Sequence, residues 1–311
     1  MARWTTADIP AQDGRTAIVT GANSGLGYRT AEALARAGAS VVLACRNAEK
    51  GADAVRRLKA AVPDAADRVE VRSLDLADLD SVRAFAAATT GLVDLLVNNA
   101  GIMTLPTRRT TAQGFEMQFG TNHLGHFALT GLLLPRLLDR PGSRVVTVSS
   151  IMHKRGKASQ LDDPQSERAY SPAAAYSFSK LANAWFTLEL DRRLRAAGAP
   201  TISVGAHPGY TATNLQTTGP QADGVTIVAR VMAAATTVLG QSDAMGALPS
   251  LRAATDPAVQ GGEYYGPSGP GELRGHPVRA KYTATGRDQA AARRLWEESE
   301  RLTEVTIPLT V

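Results

Sequence analysis

Cysteine is nearly missing from this chain: Cys45 is the only one in 311 residues. No internal disulfide can form, and a reducing compartment such as the cytoplasm is the expectation. Long hydrophobic runs are missing too. No stretch of about 18 uninterrupted apolar residues occurs, which argues against a membrane span. The opening MARWTTADIPAQDG has no apolar middle of the kind a secretory leader needs. Aromatics make up only 5% of the residues and do not interleave with the basic ones. The net charge of +5 is spread over short groups such as Arg56-Arg57, Arg192-Arg193 and Arg293-Arg294. That pattern reads as solvated surface and not as a nucleic-acid interface, although a small anion would still gain from the positive field. Metal-ligand spacing is lacking as well. His126 and His207 stand outside any such cluster and are read as structural, so no metal is expected.

What is present describes a large globular core, with 44% hydrophobic and 20% charged residues. Short apolar, β-branched runs recur at 16–20, 40–44, 69–73, 93–97, 144–149 and 201–206, with GGEYYGP (261–267) as a seventh candidate. Several are apolar at successive positions, as expected for strands covered on both faces. Helical patterns of crossover length separate them at 26–37, 48–61, 79–89, 112–138 and 172–197. The alternation predicts an α/β fold: one doubly wound, seven-stranded parallel sheet forming a single domain over 1–311. After residue 206 a Gly/Pro/Thr-rich loop (207–224) leads to an almost wholly apolar helix (225–240), then to helices near 242–255 and 287–302. Loop and apolar helix together are expected to form a mobile substrate cover.

TGANSGLG (20–27) follows the first strand and opens the first helix. Gly21 permits the tight turn, Gly25 lets backbone approach a ligand, and Gly27 allows close helix–strand packing. The amides from Ser24 to Leu26, with Asn23 beside them, then face a pyrophosphate at the positive helix end. The spacing is Gly-x-x-x-Gly-x-Gly. On this loop, ACRN (44–47), NNAG (98–101), TNHLGHF (121–127) and YSFSK (176–180), the chain resembles the short-chain dehydrogenase/reductase family from residue 15 to about 215. Within the family it is most similar to the retinol-dehydrogenase-like group.

Where an acidic residue would select NAD(H), this chain has Cys45 followed by Arg46. A guanidinium can fork onto a 2′-phosphate, so NADP(H) is the expected cofactor; the alternative is a solvent-exposed Arg at a strand end. Asp75, next to Leu76, either accepts the adenine amino group, as the resemblance implies, or caps the helix beginning near Asp78. The resemblance also implies that Ala100 and Gly101 border the ribose, that Asn98 braces the sheet, and that backbone near Pro208, Gly209 and Thr211 holds the nicotinamide carboxamide.

Tyr176 and Lys180 lie one turn apart on the helix capped by Ser171 and Pro172, and Lys180 has no carboxylate one turn before it. Side chains at i and i+4 meet. A packed Tyr beside a snorkelling Lys would explain the pair structurally. Free tyrosine has a pKa of about 10, poor for proton transfer near neutrality, and a nearby ammonium together with a positive, oxidised nicotinamide would favour the phenolate. Given Ser150 at the carboxyl end of the fifth strand, the resemblance implies that Ser150 polarises a carbonyl, Tyr176 exchanges the proton, and Lys180 holds the nicotinamide ribose and tunes Tyr176. Asn122 is implied to hold a water linked to Lys180. The expected reaction is hydride transfer between NADP(H) and a carbonyl or alcohol, with a lipophilic ketone or aldehyde as substrate. Rivals are an epimerase or dehydratase using the same Tyr-Lys pair, or a non-catalytic NADP(H) sensor. The 26 positions between Ser150 and Tyr176 leave room for an extra polar segment, 157–172, expected to help roof the nicotinamide. Homodimers or homotetramers through 112–138 and 172–197 are implied for the family.

Overall fold

A computed structural model describes residues 3–211, 240–307 and 309; the expected loop and apolar helix between 212 and 239 lie outside the described residues. Eight strands form one sheet in the order β3-β2-β1-β4-β5-β6-β7-β8. They are β1 (Thr16–Thr20), β2 (Ser40–Cys45), β3 (Val69–Ser73), β4 (Leu95–Asn98), β5 (Arg144–Val148), β6 (Ile202–Ala206), β7 (Tyr264–Pro267) and β8 (Pro277–Arg279). The helices are α1 (Gly25–Arg36), α2 (Ala48–Ala61), α3 (Leu79–Ala88), α4 (Met117–Phe119), α5 (Gly125–Leu138), α6 (Pro172–Ala196), α7 (Asp243–Thr255) and α8 (Gln289–Thr303). Strands β1 to β7 pair in parallel, in register Ala17 to Leu95 between β1 and β4 for example. The expectation of seven strands falls one short. β8 adds an antiparallel edge on β7, and its three residues in a Pro/Gly-rich tail are too few to show any alternation.

The successive apolar positions are explained by two cores, one on each face of the sheet. Ala17 and Val19 of β1, Leu95 and Val97 of β4, and Val146 and Val148 of β5 join the core under α1 and α7. Ile18, Leu96 and Val145 point the other way, into the core under α3, α5 and α6. Strand side chains alternate faces, so burial of both faces yields a continuous apolar run.

The helix expected from 112 begins only at Met117, because Glu116 caps it, accepting the amides of Gln118 and Phe119 at 3.0 and 2.7 Å. A π-helical turn, Gly120–Leu124, separates α4 from α5. On the outer side α8 lies against α5 and α6. Its Trp296 meets Phe127 edge-on at 5.2 Å and stacks on Phe186 at 6.0 Å, while the Arg193 guanidinium sits 4.4 Å from the Trp296 ring centre. A second subunit docking on that patch of α5 and α6 would have to displace α8.

β1 sits between β2 and β4, so the connections leaving β1 and β4 run to opposite faces and open a crevice between them. Thr20 holds that crevice in shape. Its fully buried hydroxyl accepts the amides of Asn99 and Ala100, each at 2.9 Å, and lies 2.9 Å from His126 Nε2. His126 Nδ1 faces the Asn122 carbonyl at 3.0 Å, which assigns the ring proton to Nδ1 and makes Nε2 the acceptor. Burial lowers the His126 pKa to about 4, so the ring is neutral. Thr20→Val should therefore leave the half-buried Ala100 amide and the buried His126 Nε2 without this partner and destabilise the fold by about 1–3 kcal/mol. Urea denaturation checks this; a loss below about 0.5 kcal/mol, the range of an ordinary surface change, would refute it.

Candidate active site

The glycine loop bends through two left-handed residues, Gly21 at φ 65° and Gly25 at φ 55°, a conformation that L side chains rarely adopt. Ser24 occupies the N-cap position of α1 without bonding its side chain to the helix. The first amides of α1 are thus left without that partner, at the end where the helix dipole favours an anion. A cleft of about 320 Å³ opens in front of them. Of the residues singled out from sequence, Gly21, Asn23, Ser24, Gly25, Leu26, Gly27, Arg46, Asp75, Leu76, Ala100 and Gly101 line it. Asp75 accepts the Ala77 amide at 2.9 Å, whereas the cap of α3 is Asp78.

Ala44, Asn47, Lys50, Leu74, Asn99, Ile102 and Thr121 also line the cleft and were not singled out. Lys50 matters most among them. It lies in the first turn of α2, while Arg46 precedes the Asn47 cap, and the only signal in the sequence was a second cation four residues on. Both side chains are exposed at the mouth of the cleft, and Asn47 caps α2 between them by accepting the Lys50 amide at 2.8 Å. Burial raises the Cys45 thiol to about 11, so it stays uncharged.

Asn98, Asn122, Ser150, Tyr176, Lys180, Pro208, Gly209 and Thr211 do not line the cleft itself. Asn98 is buried and donates to Thr130 at 3.0 Å. The link between cleft and helix α6 is Gly101, where a Cβ would come within 3.1 Å of Asn122 Oδ1 and 3.4 Å of Lys180 Nζ. Asn122, in the π turn, accepts the Ile102 amide at 2.8 Å and donates to the Ile102 carbonyl and to Ser179, both at 2.9 Å. Thr211 pairs with Gln241, and Gln241 donates to the Pro208 carbonyl at 2.6 Å, so the segment after β6 is tied to the approach to α7.

The Ser150 side chain is near enough to Tyr176 to favour its ionised form. Ser150 also accepts the Met152 amide at 3.2 Å, capping the 3₁₀ turn Ile151–Arg155. Ser149, the neighbour, instead donates to the Lys180 carbonyl at 2.7 Å and so pins α6 to the end of β5. Lys180 Nζ lies 5.9 Å from the Tyr176 ring centre and donates to the Val148 carbonyl at 3.1 Å. Ser171 precedes Pro172 at the N-cap but makes no capping bond with its side chain.

The chain's own groups keep Tyr176 in its phenol form. Burial pushes the Tyr176 phenol up, Ser150 opposes it, and Lys180 is not among the groups pulling it down. Lys180 itself is lowered to about 8 by burial. Desolvation outweighs the neighbouring cation because both groups lie in the interior, Tyr176 being 7% and Lys180 4% exposed.

The polar segment 157–172 is tied to the body of the protein at several points. Tyr170 donates to the Leu105 carbonyl at 2.8 Å, the Gln165 side chain accepts the Glu116 amide at 2.7 Å, and Asp162 pairs with Arg294 of α8 at 2.8 Å.

Comparison with known proteins agrees with this geometry. The short chain dehydrogenase family profile matches residues 15–223. Human (Homo sapiens) retinol dehydrogenase 13 is 41% identical over 303 residues, covering 95% of this chain and 86% of its own. Mouse (Mus musculus) retinol dehydrogenase 11 is 49% identical over 199 residues, covering 63% of this chain and only 61% of its own length. Among solved structures, a Mycobacterium paratuberculosis protein described as uncharacterized superposes with a TM-score of 0.81 at 44% identity, over 99% of this chain and 100% of its own. The chain belongs to the short-chain dehydrogenase family of nicotinamide-dinucleotide oxidoreductases.

Proposed function

We propose that the chain is an NADP(H)-dependent oxidoreductase that interconverts a lipophilic ketone or aldehyde and its alcohol. The observation that carries the reading is the buried Tyr176–Lys180 pair on α6, with the ammonium 5.9 Å from the Tyr176 ring centre and next to the Gly101 end of the glycine-loop cleft. When bound, the coenzyme supplies the hydride. In carbonyl reduction Ser150 donates to the substrate oxygen and Tyr176 gives that oxygen its proton. A phenol raised by burial is loaded with the proton this direction needs. Lys180 offers an ammonium to ribose hydroxyls, and the free amides of α1 meet the pyrophosphate. Asn122 borders Lys180 and is suited to ordering a water there.

The preference for NADP(H) rests on Arg46 and Lys50 at one end of the cleft and on an uncharged thiol where a carboxylate would repel phosphate. The substrate class rests on the retinol dehydrogenases, whose names specify a lipophilic alcohol. We place the enzyme in the cytoplasm on its single, buried cysteine. No helix among the described residues is long and apolar enough to cross a membrane.

Tyr176→Phe should leave NADPH affinity nearly unchanged and reduce turnover ~10²–10⁴-fold, as for loss of a positioned acid. Steady-state kinetics with an unactivated ketone, beside fluorescence titration with NADPH, measures both; near-normal turnover refutes the role.

The reductive rate should be level near neutrality and fall above about pH 8. Lys180 is protonated below its pKa of about 8 and neutral above it, while the raised Tyr176 keeps its proton through that range. A kcat/KM profile that stays level to pH 10 would exclude Lys180 as the controlling group.

Replacing Arg46 and Lys50 together by Ala should weaken NADPH by about tenfold or more, at roughly 1.5–3 kcal/mol for a charged hydrogen bond, and leave NADH almost untouched. Equal affinity of the wild type for NADH and NADPH would refute this assignment.

A further inference from the structure

Behind Ser150 and the segment 207–211 lies a group of charged and aromatic side chains that the proposed reaction does not use. His207, fully buried at the end of β6, accepts the Gly209 amide on Nδ1 at 3.3 Å. Its proton therefore sits on Nε2, which lies 3.0 Å from Glu272 Oε2, an ion-pair distance without hydrogen-bond alignment. The same carboxylate oxygen lies 2.9 Å from Lys154 Nζ, on the 3₁₀ turn that Ser150 caps. The His207 ring is tightly enclosed. The His207 ring lies 5.3 Å from that of Tyr264, and at Gly266 of β7 a Cβ would overlap the imidazole. Next to Glu272, Leu273 accepts the Tyr210 amide at 2.7 Å. Glu272 itself is held at φ 59°, in the left-handed region that a non-glycine residue occupies at a cost. A surface loop would relax from that conformation unless its contacts held it.

We propose that Glu272 is a positioning residue that fixes the distance between Ser150 and the backbone of 208–211. It does so by joining Lys154, four residues after Ser150, to His207, immediately before Pro208. This rests on the function proposed above, because it assigns 208–211 to the nicotinamide end of the coenzyme. His207, and after it Lys154, holds the Glu272 carboxyl at about 2, so the clamp carries its charge throughout the working pH range.

The test uses the full chain with Glu272→Gln, which keeps the shape and loses the charge, and Glu272→Ala, which loses both. NADPH is compared with 2′-phospho-ADP-ribose, which has the adenosine half and no nicotinamide. Amide hydrogen exchange is followed in 151–155 and 207–211. Turnover and NADPH affinity should fall in the order wild type, Gln, Ala, with roughly ten- to a hundredfold lost in turnover for the Ala variant, the scale of a small misplacement at a reacting centre. Affinity for 2′-phospho-ADP-ribose should stay within twofold, and exchange should rise in both segments while the melting temperature barely moves. Equal weakening of both ligands, or no change in kinetics and exchange, would overturn the clamp. A wild-type chain that bound neither ligand would instead overturn the function proposed above, and this role with it. One failure shows in the wild type and the other only in the variants.

Discussion

A buried ammonium group sets the terms for the centre of this molecule. Lys180 is 4% exposed, and no carboxylate among the described residues is paired with it. Its partners are the Val148 carbonyl and the face of Tyr176. Burial without a counter-ion disfavours the charged form, and the pKa falls from 10.5 to about 8. The sign of the linkage follows: the folded state binds this proton more weakly than the unfolded chain does. The penalty is therefore complete below about pH 8 and fades as pH rises towards 10.5. Stability lost here must be offset elsewhere. The surroundings are arranged accordingly, with Ser149 and Asn183 tying α6 to β5 on the inner side and α8 sealing its outer side with Trp296. Strain and unpaired charge of this kind gather where a fold serves chemistry.

The cleft in front of Lys180 is electrostatically lopsided in a useful way. Arg46 and Lys50 stand at its mouth, unbonded α1 amides at its middle, and Lys180 just beyond its Gly101 end. An elongated ligand with negative charge at one end and in the centre, and hydroxyl groups further in, matches that order. The position of the cleft follows from topology. β1 is flanked by β2 and β4, their connections part to opposite faces, and the Thr20 hydroxyl fixes where the parting occurs.

Much of this was legible in the sequence, for identifiable reasons. Strands β1, β2, β4 and β5 showed as near-continuous apolar runs because both faces of the sheet are buried there, whereas β3 at the edge (VEVRS) showed by alternation. The glycine loop showed because its spacing and its place between strand and helix are specific together. The opening of α5 did not, since a π turn over Gly120–Leu124 leaves no mark on a 3.6-residue pattern. β8 was too short and too proline-rich to signal itself. The depth of Tyr176 was not legible either, because spacing along a helix gives the neighbour and says nothing of how far both groups lie from water. Glu272 was silent for a different reason: its partners, Lys154 and His207, come from distant parts of the chain and meet only in the folded protein.

The central claim is that the cleft delivers hydride to a carbonyl carbon while Tyr176 delivers the proton to its oxygen. NADPH carrying deuterium at the transferring nicotinamide position, incubated with the protein and a lipophilic aldehyde in ordinary water, tests this directly. The account predicts one deuterium on the carbinol carbon of the alcohol, read by mass spectrometry, and a solvent-exchangeable hydrogen on its oxygen. Alcohol without deuterium on that carbon, or aldehyde and NADPH recovered unchanged across a panel of lipophilic carbonyls, would contradict it.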